Sequence, residues 1–294
     1  MRKQFVKTVE EILGKNEKVV LLLGDIGVFG FRESFKLYPT RVYNIGILEQ
    51  STISVASGLS MTGLIPIIHT IAPFITERCF EQIKNDFGYQ KLGGNLVSVG
   101  ASYDYASLGC THHCPADVNI LINIPGMEIV VPGTAEEFDT LFKESYNNGN
   151  ITYFRLSERK NQTEVKVKFG KANVIKKGKL ATVIAVGPLL DKVISATLNL
   201  DVTVIYLTTL RPFDTETVRK NIVGNKVLIC EPYYSGAITS NIINSSKNPL
   251  KIDLLGIPHE FLTNYGKMEE HDKYIGFTEK EIEKRVKKLI RSNE

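Results

Sequence analysis

The chain has 294 residues, enough for two domains of ordinary size, and 43% of them are hydrophobic, so each domain can bury a core. The net charge of +4 is small and the basic residues are scattered, which argues against a nucleic-acid partner. No apolar run approaches the roughly 20 residues of a membrane helix, and the N-terminus lacks the apolar core of a signal peptide. The four cysteines make no disulfide framework for a chain of this length. We therefore expect no membrane association and a cytoplasmic location.

Strand and helix patterns alternate along the chain, which predicts an α/β fold of two domains, each a mostly parallel sheet flanked by helices. A polar, charged stretch over 158–171 separates two such runs. We predict a first domain at 1–160, a linker at 161–172 and a second domain at 173–294. The predicted helices cover 3–13, 33–38, 49–63, 73–89, 116–123, 135–146, 188–198, 235–245 and 279–290. The predicted strands cover 18–23, 41–47, 64–70, 96–100, 127–131, 151–156, 181–186, 202–207, 226–230 and 250–254.

Glu49 is the most unusual residue of the first domain. It opens a predicted helix, and between Arg41 and Glu77 it is the only formally charged residue. A carboxylate in an apolar strand-helix-strand unit is costly to bury in its ionised form. A buried carboxyl group of this kind is typical of a residue that acts as an acid in catalysis. The helix dipole also favours an acidic residue in the first turn. The absence of neighbouring charges and the small residues of the helix favour deep burial, and therefore a functional role.

The loop from Cys110 to Cys114 is the second conspicuous polar group, because it contains the adjacent His112 and His113. Cys and His are the usual zinc ligands, but the chain has no second Cys/His cluster that could complete a four-ligand site. Adjacent histidines also rarely point to one ion. The pattern therefore favours a catalytic or substrate-binding histidine pair over a metal site, with a polar loop of incidental histidines as the alternative.

Other candidate residues follow the ends of predicted strands, where open parallel sheets bind ligands. Asp25 lies in a glycine-rich turn that fits neither the dinucleotide fingerprint nor a Walker loop. Phe74 could stack on a planar ligand, although an isolated Phe is more often part of the core. Arg155 ends an apolar strand and could pair with a phosphate or extend to the surface. Arg2 and Arg78 present weaker versions of the same choice.

These residues make the sequence resemble the C-terminal half of transketolase, that is, its pyrimidine-binding domain followed by its C-terminal domain. The resemblance spans nearly the whole chain. The stretch Ile-Gly-Ile-Leu-Glu-Gln at 45–50 is similar to the family signature Gly-Ile-(Arg/Ala)-Glu-(His/Gln), and Thr-His-His-Cys-Pro at 111–115 is similar to Thr-His-Gln-Pro. Further similarity lies in Gly58, Gly63 and Pro66 and in the segments 123–132, 210–214 and Glu231.

The resemblance implies an enzyme that uses thiamine diphosphate. Glu49 would hydrogen-bond the ring nitrogen of the coenzyme's aminopyrimidine and so favour the imino tautomer, whose nitrogen takes the proton from the thiazolium carbon. Phe74 would stack on the pyrimidine ring, and Ile47 and Asp25 would lie in the same cofactor site. The implied catalytic residues are Glu49 and His112, and the implied substrate-binding residues are His112, His113, Arg155 and Arg2.

Two departures from the family pattern affect the expected function. First, the half of transketolase that carries Gly-Asp-Gly and a later Asn, the oxygen ligands of Mg²⁺, is missing, and Asp25 lies in Gly-Asp-Ile-Gly on the other domain. We therefore expect an N-terminal partner subunit that holds the diphosphate and Mg²⁺, in an assembly with two copies of each chain. Second, Leu108 replaces an Asp that reads a donor hydroxyl in transketolases, so the donor is expected to differ from an ordinary ketose phosphate.

The leading hypothesis is thus the C-terminal subunit of a split transketolase, which transfers a two-carbon ketol unit between sugars or sugar phosphates. The enzyme alternatives are deoxyxylulose phosphate synthase-like chemistry and the beta-type subunit of a 2-oxo-acid dehydrogenase. A non-catalytic binding module of the same fold is an alternative of another class. Glu49 argues against that module, because a protein without turnover has no need to bury a lone carboxylate.

Overall fold

In a computed structural model, which describes residues 1–292, the chain folds into two mostly parallel sheets flanked by helices. The predicted α/β fold class is confirmed. The strands are β1 (Val19–Leu23), β2 (Val42–Asn44), β3 (Ile65–Ile71), β4 (Gly94–Val99), β5 (Glu128–Val130), β6 (Ile151–Arg155), β7 (Asn173–Lys176), β8 (Thr182–Val186), β9 (Thr203–Leu207), β10 (Thr209–Arg211), β11 (Lys226–Tyr234) and β12 (Lys251–Ile257).

The helices lie between the strands in the alternation that the sequence predicts. They are α1 (Arg2–Lys15), α2 (Arg32–Leu37), α3 (Glu49–Met61), α4 (Ala72–Ile75), α5 (Phe80–Gln82), α6 (Asp117–Leu121), α7 (Ala135–Ser145), α8 (Leu190–Thr197), α9 (Thr215–Asn221), α10 (Thr239–Ser245), α11 (Met268–Ile275) and α12 (Glu279–Arg291), with a π-helix at Ile83–Tyr89. No helix in this part of the chain is both long and apolar enough to cross a membrane.

The first sheet has the strand order β10-β5-β6-β4-β3-β1-β2, and its pairs are parallel except for β10 with β5. Strand β1, Val-Val-Leu-Leu-Leu, is buried along its whole length, as expected for a strand covered on both faces. At its end Leu23 pairs with Asn44 of β2 and His69 of β3. The carboxyl ends of these strands therefore meet at one edge of the sheet.

The second sheet has the order β12-β11-β8-β9-β7, with β7 antiparallel to β9. Contacts between residues from the two sides of the linker join the two sheets. Strand β10 comes from beyond the predicted linker, yet it completes the first sheet next to β5. Glu137, in the capping box of α7, accepts a hydrogen bond of 2.8 Å from the hydroxyl of Tyr206 in β9. The domain limits at 160 and 173 stay a prediction, because the sheets are joined by such contacts on both sides of the linker.

The predicted helix at 73–89 is wrong as a single element. The structure divides it into α4, α5 and the π-helix. The hydroxyl of Thr76 donates to the carbonyl oxygen of Ala72 at 2.7 Å, and the backbone N–H groups of Glu77 and Arg78 both donate to the carbonyl oxygen of Pro73. The bond from Arg78 N–H reaches back five residues instead of four, so the turn is widened and the regular α-helical ladder is interrupted. This irregular segment places the side chains of Phe74 and Arg78 next to the sheet edge.

Candidate active site

The carboxyl edge of the first sheet gathers most of the residues that the sequence predicts to be functional. Glu49 follows β2, Phe74 follows β3, and the loop with His112 follows β4. These strands are parallel neighbours or near neighbours in the sheet, so their carboxyl ends open on the same side. The structure therefore brings these residues to one edge of the sheet, and their role as a site stays a prediction.

A tight turn positions Glu49. Gly46 has a φ of +84°, a left-handed conformation that glycine adopts at no steric cost, and its N–H donates to Oδ1 of Asn44 at 3.1 Å. The turn ends β2 three residues before the predicted limit of that strand and starts α3 at Glu49. The carboxylate is only 4% exposed, so the predicted burial is confirmed, and it lies at the helix N-terminus, where negative charge is stabilised.

Glu49 is not the isolated charge that the sequence suggested. Nη1 of Arg78 lies 2.7 Å from Oε2 of Glu49, and Arg78 stands one residue beyond the uncharged stretch that ends at Glu77. A buried carboxylate without a partner would be strongly destabilising, and this arginine removes that cost. Arg78 therefore belongs to the Glu49 site and not to a phosphate site of its own.

The Arg78 guanidinium also connects Glu49 with an aromatic group. Its Cζ atom lies 4.3 Å from the ring centroid of Phe74. The Phe74 ring meets His112 edge to face at 5.4 Å between centroids, and His112 meets Tyr105 at 6.4 Å. These contacts form a continuous row from Glu49 to Tyr105 along the sheet edge. The row can present a carboxylate, an aromatic face and an imidazole to one ligand.

The two adjacent histidines point into different surroundings. His112 is half-buried, and its Nδ1 lies 2.9 Å from the hydroxyl of Thr111. His113 is buried, and its ring lies 5.5 Å from that of His271 in α11. Burial lowers the pKa of both His113 and His271 and so favours the neutral form of each ring. The structure thus brings His112 into the row with Phe74 and turns His113 toward the second domain.

Arg155 does not lie where a sugar phosphate could reach it. Its side chain is 1% exposed. Nε donates to Asp117 at 2.7 Å, and Nη2 donates to Ser102 Oγ at 3.0 Å and to the Pro232 carbonyl oxygen at 3.1 Å. The prediction that Arg155 binds a phosphate is therefore corrected, because its buried guanidinium already donates to three protein acceptors. Because Pro232 lies in β11, Arg155 fastens the His112 loop to the second domain.

The remaining predicted residues lie around the row. Asp25 is exposed and has a φ of +64°, and Asn44 donates to its Oδ1 at 3.2 Å, which braces the turn before Glu49. The Ile47 side chain is 68% exposed at the outer face of that turn. Arg2 is exposed and lines a groove of about 300 Å³ together with Tyr105.

Within residues 1–292, no three His, Cys, Asp or Glu side chains come close enough to hold a metal ion.

Comparison with known proteins identifies the family of the chain. The model of the transketolase pyrimidine-binding domain matches residues 1–163, and the model of the transketolase C-terminal domain matches residues 170–282. The chain belongs to the transketolase family. It is 35% identical over 291 residues to an uncharacterized 33.6 kDa protein in the fasciation locus of Rhodococcoides fascians, and the match covers 97% of this chain and 93% of that protein.

Two further relatives of this transketolase-family chain are of similar length. It is 26% identical over 288 residues to one of the subunits of the apulose-4-phosphate transketolase of Phocaeicola vulgatus, covering 90% of this chain and 92% of that protein. Among solved structures, it resembles a split-gene transketolase in an inactive beta4 tetramer, with a TM-score of 0.85, 25% identity and coverage of 98% and 97% of the two chains. The similarity therefore extends over both domains.

The sequence analysis did not predict two contacts of the candidate site: the pairing of Arg78 with Glu49 and the approach of Tyr105 to His112. A signal for Arg78 existed, because Phe74 and Arg78 are four residues apart and such pairs are neighbours in a helical segment. Tyr105 carries no comparable signal. Its approach to His112 depends on the fold of the loop between β4 and α6.

The Arg155 network generates a prediction about stability. We expect Arg155→Met to lower the free energy of unfolding by about 3–5 kcal/mol, because it leaves Asp117 buried without its cation. Urea denaturation followed by circular dichroism measures the change. Lys220→Met is the control, since its ion pair with Glu216 is exposed, and it should leave the midpoint unchanged. A wild-type midpoint for Arg155→Met would contradict the structural role.

Proposed function

We propose that the chain is the C-terminal subunit of a split transketolase, which transfers a two-carbon ketol unit between sugar or sugar-phosphate substrates with thiamine diphosphate. The observation that carries the proposal is the buried Glu49 beside Phe74 at the sheet edge of a transketolase-family chain. The Phocaeicola relative is similar in length and is named as one subunit of its transketolase, which supports a chain that works with a second subunit.

The residues present fit the pyrimidine half of the coenzyme. An aminopyrimidine is a flat ring with a nitrogen that can accept a hydrogen bond, and the site offers a half-buried aromatic face on Phe74 next to a carboxylate that is held at a helix N-terminus. The diphosphate and Mg²⁺ need several oxygen ligands. Asp25, which is tied to Asn44, is a single carboxylate at the margin of the site, so the partner subunit is proposed to hold these charged groups.

The chain's own residues have separate tasks in the proposed reaction. When bound, the coenzyme supplies a nucleophilic carbon that carries the ketol unit. Glu49 would hydrogen-bond the ring nitrogen of the coenzyme, and its burial keeps bulk water from that position. Phe74 orients the ring by stacking. His112, on the other side of Phe74, donates a hydrogen bond to a substrate oxygen, while Arg2 provides positive charge in the adjoining groove.

An exposed apolar surface supports the proposed partner subunit. Ile47, Leu48 and Val55 are 68%, 56% and 48% exposed around the start of α3. Apolar side chains that cluster next to an incomplete polar site are typical of an interface. A partner that covers them would bring its diphosphate and Mg²⁺ ligands next to Glu49. We propose two copies of each subunit, with each site at a boundary between chains.

The donor substrate is proposed to differ from an ordinary ketose phosphate. Leu108 is 49% exposed in the short helical turn between Tyr105 and the His112 loop. Its apolar side chain cannot accept a hydrogen bond from a donor hydroxyl. A screen of ketose, deoxy-ketose and 2-oxo-acid donors separates the split transketolase from the synthase-like and dehydrogenase-like alternatives, because only ketol donors support two-carbon transfer in the proposed reaction.

We expect Glu49→Gln to reduce turnover about 10²–10⁴-fold in the assembled enzyme, because a positioned acid-base group typically contributes this factor. The assay uses the chain with its partner, thiamine diphosphate and Mg²⁺. Glu136→Gln is the matched control, since Glu136 also lies in the first turn of a helix but is exposed. If Glu49→Gln kept most of the wild-type activity, the assignment of Glu49 would be wrong.

The partner is tested by co-expression with a neighbouring coding region that contains Gly-Asp-Gly and a later Asn. Size-exclusion chromatography of the two purified chains should give one complex, and Ile47→Asp should weaken it, since a charge at an apolar interface is costly to desolvate. Leu198→Asp is the control, because Leu198 is 70% exposed on the second domain. Separate elution of the wild-type chains would contradict a split enzyme.

His112 and His113 should separate function from stability. His112→Ala should reduce turnover about 10- to 100-fold, as expected for the loss of a hydrogen bond to a polarised substrate oxygen, with an unchanged unfolding midpoint. His113→Ala should instead lower the free energy of unfolding by about 1–3 kcal/mol, because its ring packs in the interior against His271. The reverse pattern, with His113 controlling turnover, would show that the substrate lies on the other side of the loop.

A further inference from the structure

Arg78 contacts an aromatic ring and a buried carboxylate at the same time. Its planar guanidinium lies over the Phe74 ring with Cζ 4.3 Å from the centroid, and its Nη1 donates a hydrogen bond to Oε2 of Glu49 at 2.7 Å. Arginine can do both because its guanidinium is flat, delocalised and rich in N–H donors. The guanidinium thus fills the space between the aromatic face and the buried carboxylate.

These two partners are the ones that the proposed function assigns to the coenzyme. A flat heterocycle would stack on Phe74 and hydrogen-bond Glu49, and both positions are already occupied by a planar side chain. The guanidinium donates to the Glu49 carboxylate, whereas a ring nitrogen accepts, so in the exchange Glu49 takes up a proton from water and donates it to the ring. We propose that Arg78 is an internal stand-in for the aminopyrimidine ring, and that the coenzyme enters this chain by displacing the Arg78 guanidinium from Phe74 and Glu49. This inference rests on the proposed function.

The surroundings of Arg78 allow such an exchange. The Arg78 side chain is 39% exposed, whereas Glu49 is 4% exposed, so the arginine can reach water while the carboxylate stays in place. Within residues 1–292 the guanidinium hydrogen-bonds to Glu49 alone. The backbone of Arg78 lies in the irregular segment between α4 and α5. Arg155 provides the contrast, because it is 1% exposed with three acceptors and has no free direction.

The stand-in has a physical purpose in the free chain. A buried carboxylate without a cation or hydrogen-bond donor is costly, and Arg78 removes that cost until the ring takes over the hydrogen bond. The same arginine competes with the ring. The apparent affinity of the chain for the ring is therefore the intrinsic affinity multiplied by the fraction of molecules in which Arg78 has left the site. The free chain should therefore bind the pyrimidine weakly. In the assembled enzyme, the partner's contacts to the diphosphate should offset the free-energy cost of displacing Arg78.

The test uses the full chain without partner and thiamine as the probe, because thiamine carries the aminopyrimidine without the diphosphate. Isothermal titration calorimetry measures its dissociation constant. If Arg78 fills the site about 90% of the time, Arg78→Ala should bind thiamine about tenfold more tightly than the wild type. Arg32→Ala is the matched control, since Arg32 lies over Phe29 at 4.6 Å with its Nη1 bonded to a backbone carbonyl, and it should bind like the wild type.

Two further variants keep the result decisive. Arg78→Lys retains a cation for Glu49 but loses the flat stacking group, so it should show a smaller gain and serves if Arg78→Ala does not fold. Adding Phe74→Ala to Arg78→Ala should remove the gain, because the stacking surface is then absent. Thermal unfolding of each variant checks that the fold is intact.

The inference is overturned if folded Arg78→Ala or Arg78→Lys binds thiamine no better than the wild type, or more weakly, since the arginine would then hold the coenzyme instead of competing with it. That result leaves the proposed function intact when the assembled enzyme binds thiamine diphosphate and loses turnover with Glu49→Gln. An assembled enzyme that binds no thiamine diphosphate would overturn both proposals.

Discussion

The pairing of Glu49 with a planar donor is the interaction on which the candidate site depends. Taking a carboxylate out of water is costly, and a helix N-terminus offsets only part of that cost. The chain places Glu49 at the start of α3 by means of the Gly46 turn and then supplies Arg78 from the segment after β3. The sheet edge, the turn and the interrupted helix are all required to bring these two side chains within 2.7 Å.

Two arginines at the same edge show how burial separates structure from function. Arg155 joins β6, the loop after β4 and β11 through three acceptors, and its removal would leave Asp117 unpaired in the interior. Arg78 has one carboxylate partner and an exposed flank. A fully enclosed guanidinium can only fix the framework, whereas a half-exposed one can exchange its partner for a ligand. Arg155 keeps the His112 loop in position, whereas in the proposed exchange Arg78 controls access of a ligand to Phe74 and Glu49.

Much of the fold follows from local patterns in the sequence. Apolar runs such as β1 and β3 and the amphipathic α7 are predicted to within one or two residues, because burial and helical periodicity are properties of each segment. The prediction of one helix at 73–89 was wrong because the turn at Arg78 is widened, with its N–H bonded to the Pro73 carbonyl oxygen. Strand β10 and the burial of Arg155 depend on contacts between distant segments, for which one sequence gives no local signal. Glu49 and His112 are conspicuous in the sequence as a lone charge and as one of two adjacent histidines, and the family resemblance gives them and Phe74 their expected roles.

Assembly and coenzyme entry are physically linked in such a site. The exposed apolar residues Ile47 and Leu48 directly precede Glu49, which pairs with the part-exposed Arg78. A partner that covers these residues would remove water from around the ion pair, and electrostatic interactions there would become stronger as the effective dielectric constant falls. A charged guanidinium is then harder to release into the closed space than into open water. The sequence of events with the lower free-energy cost therefore begins with displacement of Arg78 while its side chain is still exposed to water. The partner subunit then closes over the bound ring.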